Sequence, residues 1–225
     1  MTAFRPPPLP GASCRRPCGF CSHLPGLAFL TCLALFLPSV RATSVIPPSF
    51  PELVQEADAI LRGRVTDIQA RRAQAPDGTA LIKTFVTFAI ERTLKGPAPA
   101  SVTLEFLGGT IGDDSLVIAG MPKFQLGTTE YVFVQRNGVQ YCPLVALGHG
   151  RYRLMRDAGS GREFLARDNG LPLTSVSDVE VPLTTLPPSV RAAQSAARDR
   201  ALTPAAFEAA ITAELQRPTL RGRLP

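Results

Sequence analysis

Ile82-Lys83-Thr84-Phe85-Val86-Thr87-Phe88-Ala89-Ile90-Glu91 is the stretch that decides the fold class. Ile82, Thr84, Val86, Phe88 and Ile90 alternate with Lys83, Phe85, Thr87, Ala89 and Glu91. Successive side chains of a strand point to opposite faces, so this pattern predicts a long strand with one strongly apolar face. Leu94-Lys95-Gly96-Pro97 stops it. Working outward, the period of two persists. Ala59 to Ile68 reads as a first strand, and Arg71 to Gly78 as a polar connection ending in the turn signal Pro76-Asp77-Gly78. Val102, Leu104 and Phe106 make a third strand closed by Gly108-Gly109, and Ser115 to Ala119 a short fourth. Tyr131 to Gln135 and Val139 to Leu144 flank Arg136-Asn137-Gly138, and an Asn-Gly pair between alternating runs is the strongest short-range hairpin signal. Arg151 to Arg156 and Arg162 to Ala166 form another hairpin around Ala158-Gly159-Ser160-Gly161. The expected fold is mainly β: a small antiparallel β-barrel, closed or nearly so, with an added hairpin. Closure removes the edges that a secreted sheet otherwise exposes.

Helical signals flank this region. Thr43 to Pro48 is an extended arm, and Ser49-Phe50-Pro51-Glu52 is a capping box for a short helix through Asp58. Its apolar positions Phe50, Leu53, Val54 and Ala57 share one face. Gly170 to Pro188 has little pattern. Thr203 is a good N-cap, Pro204 suits the first helical position, and Phe207, Ile211 and Leu215 form a stripe. The expected organisation is a barrel domain with hairpin over 43–168, an irregular arm over 169–202, a C-terminal helix over 203–216 docked on the barrel, and a frayed tail over 217–225.

The first 42 residues read as a secretory signal peptide. Leu27 to Leu37 is apolar throughout apart from Thr31, Arg15 and Arg16 lie upstream, and no acid precedes Glu52. Val40-Arg41-Ala42 fits a cleavage site, so Ala42 is the expected cleavage residue and Thr43 the mature start. The apolar run is about half of the roughly 20 residues a spanning helix needs, so no stable membrane span is expected after cleavage. Cys14, Cys18, Cys21 and His23 have knuckle-like spacing, but they precede the apolar core, where no folded domain organises a metal site.

Subtracting the leader changes the chemistry. Arg5, Arg15, Arg16 and Arg41 leave with it, so 24 basic against 18 acidic residues becomes 20 against 18, and a formal charge of +6 becomes +2. The basicity belongs to the targeting segment, which removes the electrostatic case for nucleic-acid binding. Cys142 is the one cysteine left, so no intramolecular disulfide is possible in the oxidising compartment.

Val45-Ile46-Pro47-Pro48, Ala57 to Val65, Phe88 to Gly96 and Leu126 to Phe133 occur in an order that resembles the netrin-type module of tissue inhibitors of metalloproteinases, over roughly residues 43–150. The resemblance extends to uncharacterised exported bacterial proteins with this pattern. It implies an OB-like barrel and a secreted or periplasmic protein. In those inhibitors an N-terminal cysteine, clamped by disulfides, meets the protease zinc; here Thr43 stands first and no cysteine holds the arm. An unclamped arm loses preorganisation and hence affinity. By this resemblance Thr43, Ser44, Val45 and Ile46 are the partner-binding candidates.

Constellations for catalysis are few. Cys142 and His149 are the only thiol and imidazole after the leader, and a Cys-His nucleophilic pair is one alternative. A small buried hydrophobe and a turn residue are the simpler accounts. Asp113-Asp114 lacks the further acids of a calcium site, Asp168-Asn169-Gly170 is turn chemistry, and Gly108 to Gly112 has no helix behind it to cradle phosphate. Arg62, Arg64, Arg71 and Arg72 read as a solvated basic face. No catalytic, cofactor or metal site is expected. The expectation is an exported, non-enzymatic binding module with an extracytoplasmic protein partner, such as a protease. Protease inhibition through the arm and a thiol hydrolase using Cys142 are the alternatives.

Overall fold

The structure, a computed structural model, describes residues 45–75, 77–183, 187–189, 192 and 196–217. The leader, Ala42, Thr43, Ser44 and the last eight residues lie outside these.

Helix α1, Phe50–Glu56, opens on the expected capping box: the Ser49 amide and hydroxyl each reach the Glu52 carboxylate at 2.8 Å. It ends two residues early because Asp58 is drawn into the sheet. The Asp58 amide donates to the Val134 carbonyl at 2.8 Å, and its carboxylate accepts from the Arg136 amide at 2.7 Å. Strands β1 (Ala59–Gln74) and β2 (Ala80–Lys95) form one long hairpin. Arg71 to Gln74 belong to β1 rather than to a connection, since Ala80 to Lys83 pair with them in register. Register shifts near Ile60, Arg62 and Val65 bend the hairpin.

Then follow β3 (Ser101–Leu107), β4 (Gly109–Ile111), β5 (Asp114–Leu116), β6 (Thr129–Val134), β7 (Arg151–Arg156) and β8 (Glu163–Arg167). The main sheet is antiparallel with order β3-β2-β1-β6-β7-β8, and β4-β5 is a separate two-stranded hairpin. The molecule is therefore mainly β, with the added β7–β8 hairpin and a C-terminal helix α2, Pro204–Gln216.

Closure is partial and comes from irregular chain. The sheet ends at β3 and β8. The β3 edge is covered by the segment after β6: Leu107 donates to the Tyr141 carbonyl at 2.8 Å, and the Asn137 side chain accepts from the Glu105 amide and donates to the Thr103 carbonyl. That segment returns to β6 through a bridge between Val134 and Leu144. The Asn-Gly hairpin thus does not form as expected, because Val139 to Leu144 makes no strand on β6. Asn137 serves β3 instead, and Pro143 has no amide to offer a ladder. The β8 edge is covered by the segment around Leu173 and by Leu202, whose carbonyl accepts from Leu165 at 2.9 Å.

Alternation along β1 and β6 builds two cores, one on each face, with β2 adding buried residues to one of them. Ile60, Tyr131, Phe133, Tyr152 and Leu165 meet α1 and α2 on the helix face. Leu61, Val65, Val86, Phe88, Leu104, Phe106 and Val132 pack inward with Cys142 and Leu144 on the other, which we call the ring face. On α2, Thr203 caps as expected and Phe207 and Ile211 are buried. Leu215 is half-exposed instead of completing the stripe, while Glu208 is buried. No helix among the described residues is long and apolar enough to cross a membrane.

Candidate functional site

A concavity is built where β3 turns into β4. Gly108 and Gly109 have φ of 102° and 142°, and a Cβ on Gly109 would lie 2.5 Å from the Thr84 hydroxyl. Only glycine lets the chain cross β2 this closely. The tip of the β4–β5 hairpin is tied to β1 by an ion pair between Asp114 and Arg72. Between this hairpin, the segment Val117 to Phe124 and the ring face lies a groove of about 370 Å³. That is near the lower end of the ~300–1,000 Å³ usual for ligand pockets. Ile68, Val86 and Phe106 line it, with Leu116, Ile118, Met121 and Phe124 opposite.

The side-chain hydroxyls of the groove are spent on the protein itself. Thr84 donates to the Gly108 carbonyl at 2.7 Å, and the Thr110 and Ser115 hydroxyls bond each other at 3.1 Å. No acid, thiol or imidazole is among its lining residues; Lys123 is the one charged side chain there.

One wall is held from behind by a buried ion network. Phe124 packs at 4.9 Å from Phe106 and edge-on to Phe88 at 5.6 Å, and the Arg151 guanidinium lies 4.4 Å over its ring. Arg151 makes a bidentate pair with Glu130 at 2.6 and 2.7 Å and reaches Asp168 at 2.6 Å. Burial disfavours the guanidinium charge, but Glu130 and Asp168 outweigh it and the Arg151 pKa is raised. On the helix face Glu208 plays the matching part. It accepts from the Tyr131 hydroxyl at 2.6 Å and pairs with Arg62 at 3.0 Å and Arg92 at 2.7 Å. Burial and then Glu208 push the Tyr131 phenol up.

The residues singled out in the sequence are scattered. Cys142 is buried in the ring-face core, whereas the His149 ring lies 3.2 Å from the carbonyl of Val179, in the helix-face core. Burial pushes the Cys142 thiol up to about 11, away from the thiolate a nucleophile needs. Burial, and then Arg167, hold His149 below its ordinary value. Arg62 is not simply a solvated base, since it meets Glu208 and Glu91, and Arg64 approaches Glu91 at 3.8 Å. Asp113 is exposed, Asp114 serves Arg72, and Asp168 serves Arg151. No group of three or more His, Cys, Asp or Glu gathers as a metal site among the described residues. Of the arm candidates, Val45 is half-buried and Ile46 is 87% exposed.

Sequence reading missed the groove. A signal was present: Val117 to Phe124 breaks the alternation between two strand-like stretches yet keeps apolar residues and a lysine. No family model matches the chain, and no curated protein matches it.

Proposed function

We propose that this chain is an exported, non-enzymatic binding module whose working surface is the apolar groove beneath the β4–β5 hairpin. The observation that carries the reading is a preformed groove of about 370 Å³ whose hydroxyls are already hydrogen-bonded within the protein. Such a lining has apolar surface to offer and no acid, base or nucleophile pair with which to turn over a substrate. Val117 stands 83% exposed at its mouth, where apolar area is left for an occupant to cover.

Nile red titrated into the purified chain tests this. Saturable binding at one site per chain is expected, weakened on the order of tenfold by Val117→Asp, which sets a carboxylate at an apolar mouth. Absence of saturable binding, or equal binding by the variant, overturns the reading.

The 87% exposure of Ile46 supports a second reading, in which the N-terminal arm meets an extracytoplasmic protease. Adding one residue before Thr43 is the check. Inhibition that survives the extension does not depend on the mature amine.

A further inference from the structure

The chain contains three lysines, Lys83, Lys95 and Lys123, among its 24 basic residues. Two have structural employment. Lys83 pairs with Glu105 at 3.0 Å, and Lys95 donates to the Val54 and Gln55 carbonyls at the end of α1 at 2.9 and 2.8 Å. Lys123 is different: it is exposed, lines the groove, and makes no ion pair with any described residue. Its backbone is fixed between the buried Pro122 and Phe124, whose ring is packed on Phe88 and Phe106. The lysine stem is therefore anchored at the lip of an apolar seat, with its ammonium free to reach a ligand there.

We propose that the groove takes a single-chain anionic amphiphile, an aliphatic carboxylate whose tail lies along Ile68, Val86 and Phe106 and whose head meets Lys123. This rests on the groove being the working surface. Three features select the class. The hydroxyls are engaged and the remaining side-chain lining is mostly apolar, which favours hydrocarbon as the buried part of the ligand. The lone cation at the lip complements an acid head and disfavours a cationic one. A volume near 370 Å³ suits one short chain better than a two-tailed lipid. Met121 in the wall adapts to the disorder of an alkyl tail.

The experiment is displacement of groove-bound Nile red by decanoate, decanol and decyltrimethylammonium, each kept below its micelle concentration. Decanoate is expected to compete best and the cation worst. Lys123→Glu should weaken decanoate roughly fivefold to tenfold and strengthen the cation, because the lip charge is reversed. Lys123 is exposed and without an ion pair, so this variant keeps the fold. Added salt should narrow the gap between decanoate and decanol. If decanol matches decanoate, or Lys123→Glu leaves decanoate unchanged, the acid-head assignment falls while the groove reading stands. If Nile red itself shows no saturable binding, the groove reading falls first.

Discussion

Phe207 and Phe124 close opposite faces of one sheet, and they close them to different depths. On the helix face, Phe207 is fully buried and meets Phe50, Tyr131, Phe133 and Tyr152 with ring centroids 5.1 to 6.1 Å apart. On the ring face, Phe124 is only half-buried and meets Phe88 and Phe106, with Arg151 on its ring. A helix can lay a row of side chains at spacings of three and four along a sheet, so it seals that face. A looped segment supplies one ring and leaves a groove beside it. Alternation thus produced a core on each face, and the element laid over each face decided how deeply its covering ring is buried.

The sharpest way to break this comparison is to truncate both rings. Phe207→Ala should cost about 3–5 kcal/mol, as a fully buried aromatic does, and Phe124→Ala about half as much, measured from urea unfolding midpoints. Equal losses would mean that the two faces are equally packed.

The buried carboxylates offer the next test. Glu130→Gln leaves the guanidinium of Arg151, whose side chain is 3% exposed, with Asp168 as its remaining carboxylate, and should cost about 3 kcal/mol. Glu208→Gln removes the charge opposite Arg92 and leaves Arg62 with Glu91; their side chains are 56% and 26% exposed and can rehydrate, so about 1–2 kcal/mol is expected. A reversed order in the same unfolding assay would sink the distinction between a dry network and a wetted one.

The smallest effects are in pH, and His149 and Cys142 carry them. Burial, and then Arg167, outweigh the Val179 carbonyl and Asp168, so His149 stays neutral in the fold to lower pH than in the unfolded chain. The unfolded chain binds the extra proton, so stability should fall as pH drops below about 6.5, and His149→Gln should flatten that limb. Cys142 acts at the other end. Its thiol is raised from 9.0 to about 11, so its contribution is intact below pH 9 and lost as pH rises toward 11. At pH 10 wild type should have lost on the order of 1 kcal/mol more than Cys142→Ala. Parallel pH curves for either variant and wild type would contradict the corresponding burial.

The fold was largely written in local patterns. The alternation of Ile82 to Ile90 gave β2, Ser49 and Glu52 gave the first helix start, and Thr203-Pro204 gave the last. The second hairpin around Ala158 to Gly161 also formed, as β7–β8. The Asn-Gly signal misled, because Asn137 found partners on β3 some 32 and 34 residues back, beyond any local rule. The ends of strands moved for a similar reason: Arg71 to Gln74 are polar, yet a partner strand keeps them extended. The candidate site was scarcely legible. Cys142 and His149 attracted notice by being singular, and the structure put them in different cores.

What the sequence determined by itself is the type of each long element, because period and capping depend on neighbours a few residues away. The tertiary structure alone decided which face was sealed, where charge was buried, and that Lys123 stands at the lip of an apolar groove. Those outcomes depend on contacts between elements far apart in the chain, such as Tyr131 with Glu208 and Phe106 with Phe124. No local periodicity encodes them, since they exist only once the chain has bent β1 and carried the segment after β5 across the ring face.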